Sequence, residues 1–425
     1  MASRFWKLPI SHLRALQSMK PQNGSQGNSA AMRFGVLAAS LGALALMEKK
    51  QGLIEGSKLR EFIEPKRAEA LGFFSSSKSD LKDPYARSRV KEPIDKNVVI
   101  VTGTSNKELA GSVASYLGRE LGETNARKFA DGEVSVSIQE PVENKRVVII
   151  QSTSNPVNDN LMELILMVSA AKRAGAAHIT CVIPYYGYAR QERKVKNEQM
   201  PVSASDVSQI LEFMGVNKII TVDIHAVAIT GTTSARVQFE DYEAGLVGID
   251  WFDKNIKDKS SLTIVAPDAG AVKRAKAFHQ NFEKLGYKDQ IGVALMHKER
   301  KKANVVESVE MIGTVEGKDC IIIDDMVDTA GTLCKAAKEL KEKGAKRVYA
   351  FITHGIFSGP AADRIRESEL EAIICTDSMK LKQEVVDKMG GKLKTVSIDL
   401  LLAEVIRRSV NGESKKDIFE NPIYK

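Results

Sequence analysis

Asp324 and Asp325 stand side by side after the apolar run Cys320 to Ile323, and Asp328, Thr329, Ala330, Gly331 and Thr332 follow before the helix-periodic stretch LCKAAKELKEKGA. Hydroxyls, glycine and a helix start suit a phosphate, because the unpaired N–H groups of a first helical turn and the helix dipole favour an anion. Three carboxylates beside an anion site need targets of their own. Sugar hydroxyls donate well to anionic oxygens, and a magnesium ion would offset the crowded negative charge. A sugar phosphate such as ribose 5-phosphate satisfies both halves of the stretch. The competing reading is an acidic turn that merely caps the helix after Ile323.

Buried strands alternating with helices must position these groups. NVVIVTG (97–103), RVVIIQST, HITCVIPYY and KIITVDIH form one series, and LTIVAPDAG, IGVALMH, DCIIIDDM and RVYAFITHG a second. Strands apolar throughout and separated by helix-periodic segments imply parallel sheets covered on both faces. The expected fold is α/β: two tandem domains over 97–244 and 245–425, each a mainly parallel sheet flanked by helices. Ligands of such sheets sit beyond the carboxyl ends of the strands, where the polar residues of every motif here fall.

The chain has 425 residues, 43% hydrophobic and 27% charged, which is an ordinary globular composition. Its net charge of +8 resides in the first 96 residues, which hold 17 Lys and Arg against 9 Asp and Glu and leave 45 of each sign beyond. A neutral globular part argues against a nucleic-acid partner and for a small-molecule site. The four cysteines, Cys181, Cys320, Cys334 and Cys375, have neither CxxC nor histidine at ligand spacing, so buried thiols in a reducing compartment are expected. Residues 1–47 contain Arg4, Lys7, Arg14, Lys20 and Arg33 and no acid, the pattern of an organellar presequence. Mitochondrial import is the first expectation, with a plastid or cytoplasmic location as the alternative. The 14 apolar residues 34–47 are short of the roughly 20 that span a bilayer, so membrane contact is expected only through them. Residues 48–96 read as a charged linker or arm.

The stretch from Asp324 resembles the phosphoribosyl-binding motif of type I phosphoribosyltransferases and of the ribose-phosphate pyrophosphokinases. IPYYGYARQERK (183–194), TVDIHA (221–226), APDAGAVKRA (266–275), HKERKKAN (297–304) and THGIFSGPA (353–361) resemble the pyrophosphokinases in order and spacing, over essentially the whole globular part. The resemblance implies two type I phosphoribosyltransferase-like domains that make phosphoribosyl pyrophosphate and AMP from ATP and ribose 5-phosphate, for nucleotide biosynthesis. It implies that Lys298 and Arg300, in a run otherwise read as a solvated loop, are the catalytic pair on a mobile loop. His225, otherwise a structural histidine, and Asp268 would hold Mg2+, His225 also the ATP phosphates. In KFADGEVSV (128–136), otherwise a turn with a core Phe, Phe129 would stack on adenine while Asp131 and Glu133 accept hydrogen bonds. Arg190 and Gln191 would contact ATP, and Asp324, Asp325 and Asp328 to Thr332 would bind ribose 5-phosphate. The family's nucleotide site is completed across a subunit contact, implying a homo-oligomer, commonly a hexamer built of dimers, or a hetero-oligomer with paralogues.

Two segments depart from the family pattern. Pro141 and Glu143 in QEPVENKR (139–146) stand where many members have Ser and Arg, and TGTTSARVQFED replaces a QGFFD-like run after TVDIHA. Both regions contribute in the family to a regulatory site for phosphate and ADP, and an acid in place of a basic ligand repels phosphate. Little phosphate dependence is therefore expected. The alternatives are a catalytically silent subunit of the same family and a phosphoribosyltransferase sharing only the first motif.

Overall fold

The structure is a computed structural model that describes residues 94–299, 308–414 and Ile418. The expected presequence and apolar segment over 1–47, and all but the last residues of the 48–96 arm, lie outside the described residues. Every described residue belongs to one compact unit.

Its elements in chain order are β1 (Val98–Thr102), α1 (Lys107–Tyr116), β2 (Thr124–Lys128), β3 (Val134–Ile138), β4 (Arg146–Ile150), α2 (Val157–Arg173), β5 (His178–Ile183), α3 (Ser203–Phe213), β6 (Lys218–Val222) and β7 (Gln238–Tyr242). There follow α4 (Gly245–Asn255), β8 (Leu262–Ala266), α5 (Val272–Phe282), β9 (Gly292–Glu299), β10 (Ser308–Ile312), β11 (Asp319–Val327), α6 (Gly331–Glu342) and β12 (Arg347–Gly355). The chain closes with α7 (Ala361–Glu367), β13 (Ala372–Thr376), α8 (Gln383–Lys388), β14 (Leu393–Val396) and α9 (Asp399–Asn411).

The apolar runs become strands because only a sheet covered on both faces hides a side chain on each side of every residue: β1, β6, β8 and β13 are buried at every position. β1-β4-β5-β6-β7 form a parallel sheet. The second sheet runs β10-β9-β8-β11-β12-β13-β14 and is parallel except for β10, which pairs antiparallel with β9. From β8 the chain moves outward to β9 and β10, then returns to lay β11 on the other side of β8. Between β8 and β11 the strand order reverses, and that crevice is where a doubly wound sheet receives its ligand.

The two sheets share a core. Apolar residues of α1, among them Leu109 and Val113, belong to the same buried cluster as Leu401 and Val405 of α9, so the last helix packs back against the first. β2 and β3 stand apart as a two-stranded ribbon, and its sequence, TNARK and VSVSI, has no apolar run to announce it.

All four cysteines are free thiols; Cys181, Cys320 and Cys375 are buried, and Cys334 is half-buried. Burial raises the pKa of each, pushing Cys320 and Cys375 to about 12. A thiolate-directed disulfide reagent at pH 8 is therefore expected to reach Cys334 first and slowly, with all four reacting only after denaturation. Rapid native labelling of Cys181, Cys320 or Cys375, mapped by peptide mass, contradicts this packing.

Candidate functional site

The last residues of β11 reach the switch-point crevice. Asp324 and Asp325 are adjacent there, and the Asp324 carboxylate folds back to accept from Asp325 N at 2.9 Å. Asp325, 3% exposed, meets His225 from the loop after β6: His225 Nδ1 lies 2.8 Å from Asp325 Oδ2. Arg274, one turn into α5, lies 3.3 Å from Asp325 and 3.8 Å from Asp324, while its Nη2 donates to the His225 carbonyl. Two adjacent carboxylates thus face one guanidinium and one imidazole, and the imidazole comes from the other sheet.

Their titration follows from this geometry. Burial, then the Asp325 charge, raise Asp324 to about 8. Burial also acts upward on Asp325, but the His225 hydrogen bond and the Arg274 charge outweigh it and hold Asp325 low, at about 2. The hydrogen bond to Asp325 raises His225. With the pair so close, only one carboxylate ionises readily, and a cation or a hydroxyl donor is needed before both do.

The loop between β11 and α6 offers backbone groups to the cavity. Ala330 adopts a left-handed φ of 61° as the residue before α6, makes no side-chain cap, and no acid occupies the first turn of the helix. The opening amides are thus left to an incoming anion. Ser358 N donates to the Asp328 carbonyl, and Arg364 Nη1 donates to the Thr329 carbonyl, fixing the loop from behind. Asp328 Oδ1 is buried and finds no hydrogen bond of good geometry among the described residues. The Ser358 hydroxyl and Arg190 nevertheless approach this carboxylate closely enough to hold its pKa down. Arg190, from the loop after β5, pairs with Asp328 Oδ2 at 2.8 Å.

These groups surround a cavity of about 470 Å³ lined by Arg190, His225, Asp268, Arg274 and the whole of Asp324 to Thr332. Asp268 accepts from Ala271 N at 3.1 Å in the turn that opens α5. Among the described residues no three acidic, histidine or cysteine groups close into a metal cluster. The aspartates from the turn before α5 and from β11 with its loop nevertheless suit a hard divalent cation, which keeps several waters and takes one or two carboxylates besides substrate oxygens. Asp325 on Nδ1 leaves His225 Nε2 open to a cation, but an imidazole nitrogen is a weaker donor than a carboxylate oxygen for so hard an ion.

Not every expected residue reaches the cavity. Phe129, Asp131 and Glu133 lie at the exposed tip of the β2–β3 ribbon, where Phe129 is 49% exposed under the Arg127 guanidinium and Asp131 accepts from Glu133 N. Gln191 does not line it either; its Oε1 accepts from Ser203 at the start of α3. Lys298 is in β9 by its backbone, but its side chain, and Arg300 altogether, lie outside the described residues. Arg274 is a site residue that the motifs do not single out, although it sits within APDAGAVKRA; a basic residue in the first turn of the helix that follows the Asp268 turn is the signal for it.

Asp325→Asn removes the anionic acceptor of both cations. It is expected to lower the unfolding free energy by about 1–2 kcal/mol, after allowing for solvent around His225. The contribution of His225, whose folded pKa is raised, is complete below about pH 6.5 and fades above that value as pH rises through the raised folded pKa; that of Asp325, whose pKa is depressed, is complete above about pH 4 and fades in acid. The gap between the two proteins in urea melts should be widest from about pH 4 to 6.5. A gap that grows above pH 8 is incompatible with this pairing.

The site's residues fall within regions that match known proteins. Residues 98–215 match the N-terminal domain of ribose phosphate pyrophosphokinase, and residues 306–420 match the phosphoribosyl synthetase-associated domain. Ribose-phosphate pyrophosphokinase of Vibrio parahaemolyticus is 44% identical over 322 residues, 75% of this chain and 98% of that protein. The enzyme of Ralstonia nicotianae is 43% identical over 76% of this chain and 98% of its own length. The crystal structure of phosphoribosylpyrophosphate synthetase from Mycobacterium smegmatis superposes with a TM-score of 0.67 at 33% identity, over 75% of this chain and 100% of the other. With its two α/β sheets and a cavity formed by residues of both, the chain belongs to the ribose-phosphate pyrophosphokinase family.

Proposed function

We propose that this protein is a ribose-phosphate diphosphokinase. The anomeric hydroxyl oxygen of ribose 5-phosphate bonds to the β-phosphorus of ATP, the bond from that phosphorus to the bridging oxygen breaks, and AMP leaves. The hydroxyl proton goes to solvent or a nearby base. One observation supports the reading above all: amides of α6, the β11 carboxylates, and Arg190 and His225 from the other sheet face one cavity.

In this reading the opening amides of α6, with Thr329 and Thr332, hold the 5-phosphate, while Asp324 and Asp325 accept the sugar hydroxyls. Holding both reactants in line matters because phosphoryl transfer depends mainly on positioning and charge neutralisation. Arg190, paired with Asp328, exchanges that carboxylate for ATP phosphate oxygens, and its planar fork suits two of them at once. Asp268 and the β11 aspartates, with His225, would hold Mg2+, which supplies neutralisation of phosphate charge when bound. By family resemblance Lys298 and Arg300 would quench charge on the migrating diphosphate; losing one such donor costs on the order of a hundredfold to a thousandfold in rate.

The exposed Phe129 on a ribbon away from its own cavity suits a nucleotide site completed by a neighbouring copy. A homo-oligomer, or a mixed one with paralogues, follows from that reading. Residues 1–47 would direct the chain to mitochondria, and a reporter fused to residues 1–96 tests the address.

The purified full chain, given ATP, magnesium and ribose 5-phosphate, is expected to release AMP, and Lys298→Ala to reduce that rate on the order of a hundredfold or more. No AMP release favours a silent subunit instead, whereas activity only with a nucleobase and preformed phosphoribosyl pyrophosphate favours a transferase. Glu143 is exposed in this chain, and turnover should vary little when free phosphate is withdrawn. A steep phosphate requirement, measured by titrating phosphate into desalted protein, contradicts the reading of Pro141 and Glu143.

A further inference from the structure

THGIFSGPA has no part in the cavity lining, yet its first two residues occupy the seam between the sheets. His354, 2% exposed near the end of β12, points its Nε2 at the Val222 carbonyl (3.0 Å) and the Asp223 carbonyl (3.2 Å), where β6 of the other sheet ends. Its Nδ1 lies 2.9 Å from Ser378 Oγ, and its ring packs edge-on against Tyr185 with centroids 5.1 Å apart. A neutral ring with its proton on Nε2 serves all of these partners, the Ser378 hydroxyl donating to Nδ1 while Thr376 Oγ1 supplies the Thr353 carbonyl. Burial lowers the ring pKa to about 4, which keeps it neutral. Thr353 beside it donates Oγ1 to Asp223 Oδ2 at 2.6 Å.

Asp223 is the residue these bonds converge on. Its φ is +43°, a left-handed conformation costly for a residue with a Cβ, and such backbone persists only where the surroundings over-determine it. Here four bonds do so: its N–H to the Tyr242 carbonyl, its carboxylate from Ala244 N and Thr353 Oγ1, and its carbonyl from His354. The turn it makes places His225, two residues on, against Asp325 across the seam.

We infer that His354, with Thr353, is a positioning residue: it fixes the left-handed turn at Asp223 and thereby presents His225 to the nucleotide side of the cavity. The inference rests on the proposed function, since the ligand presented is ATP. His354 touches no substrate; its effect passes through Asp223 and His225.

The test uses the full chain with His354→Phe, which keeps a ring against Tyr185 but removes both nitrogens, and His354→Gln, whose amide N–H can reach the same carbonyls. Calorimetric titration with a non-hydrolysable ATP analogue plus magnesium, and separately with ribose 5-phosphate, accompanies kcat per folded site. H354F is expected to weaken analogue binding about tenfold and to lower kcat on the order of a hundredfold, while ribose 5-phosphate affinity stays within about twofold. H354Q should recover most of both losses. Equal loss of both affinities, loss only of the folded fraction, or a glutamine variant no better than phenylalanine overturns the inference. Should H354F fail to fold, Thr353→Val against Thr353→Ser decides, with the same split in binding expected of the valine alone. A wild type that binds both ligands but releases no AMP refutes the proposed reaction and leaves the positioning inference standing if the split persists. A wild type that binds neither ligand overturns both.

Discussion

Of two carboxylates on consecutive residues in a buried crevice only one ionises readily, and in this protein Asp325 is held ionised by two cationic groups, one of them from the other sheet. Asp324 and Asp325 belong to β11, Arg274 to α5 of the same sheet, and His225 to the loop after β6. Like-charge repulsion within one sheet is thus relieved by a contact between sheets. The electrostatic requirement of the aspartate pair and the spatial requirement of joining the two sheets at one cavity have one solution.

That solution explains why the seam is polar where an interface between two sheets could have been apolar. Asn106 donates to the Asp377 carbonyl, Ser152 to the Ser378 carbonyl, Thr353 to the Asp223 carboxylate, and His354 to the carbonyls that end β6. Buried polar groups cost free energy unless they are paired, and paired ones tolerate only a narrow range of relative placement. An apolar seam would tolerate small slips between the sheets; a hydrogen-bonded one penalises them. The apolar contacts of α9 on α1 supply attraction across the seam, and the polar ones supply register.

How much of this was legible in the sequence depended on whether the cause was local. Strand and helix alternation could be read because burial on both faces demands unbroken apolar runs, as in DCIII or KIITV. The phosphate loop could be read because a strand, a Thr-Ala-Gly-Thr turn and a helix are contiguous. Of the β2–β3 ribbon, VSVSI shows the apolar–polar alternation of a half-buried strand, but β2 could not be read, since TNARK pairs through its backbone and buries little. Nor could the seam: Asn106 and Asp377 are 271 residues apart, His354 and Val222 are 132 apart, and nothing in either segment names its partner. Arg274 lies between these cases, because its motif was visible while the pair of aspartates it serves is 50 residues away.

The pairing of Arg190 with Asp328 carries the contact between the sheets across the cavity itself. Both side chains are substantially solvated, at 52% and 32% exposure, so the bond is weak by the standard of exposed ion pairs and can exchange readily for substrate contacts. Its worth is in what it prevents. Without it Asp328, whose second oxygen is already buried without a well-formed hydrogen bond, would be left with the Ser358 hydroxyl as the group that holds its pKa down. An incoming phosphate offers Arg190 more charge than Asp328 can, and an incoming sugar hydroxyl or cation offers Asp328 a replacement. One exposed ion pair thus joins a residue of each sheet across the cavity, and any ligand that takes either partner leaves the other open to a new one.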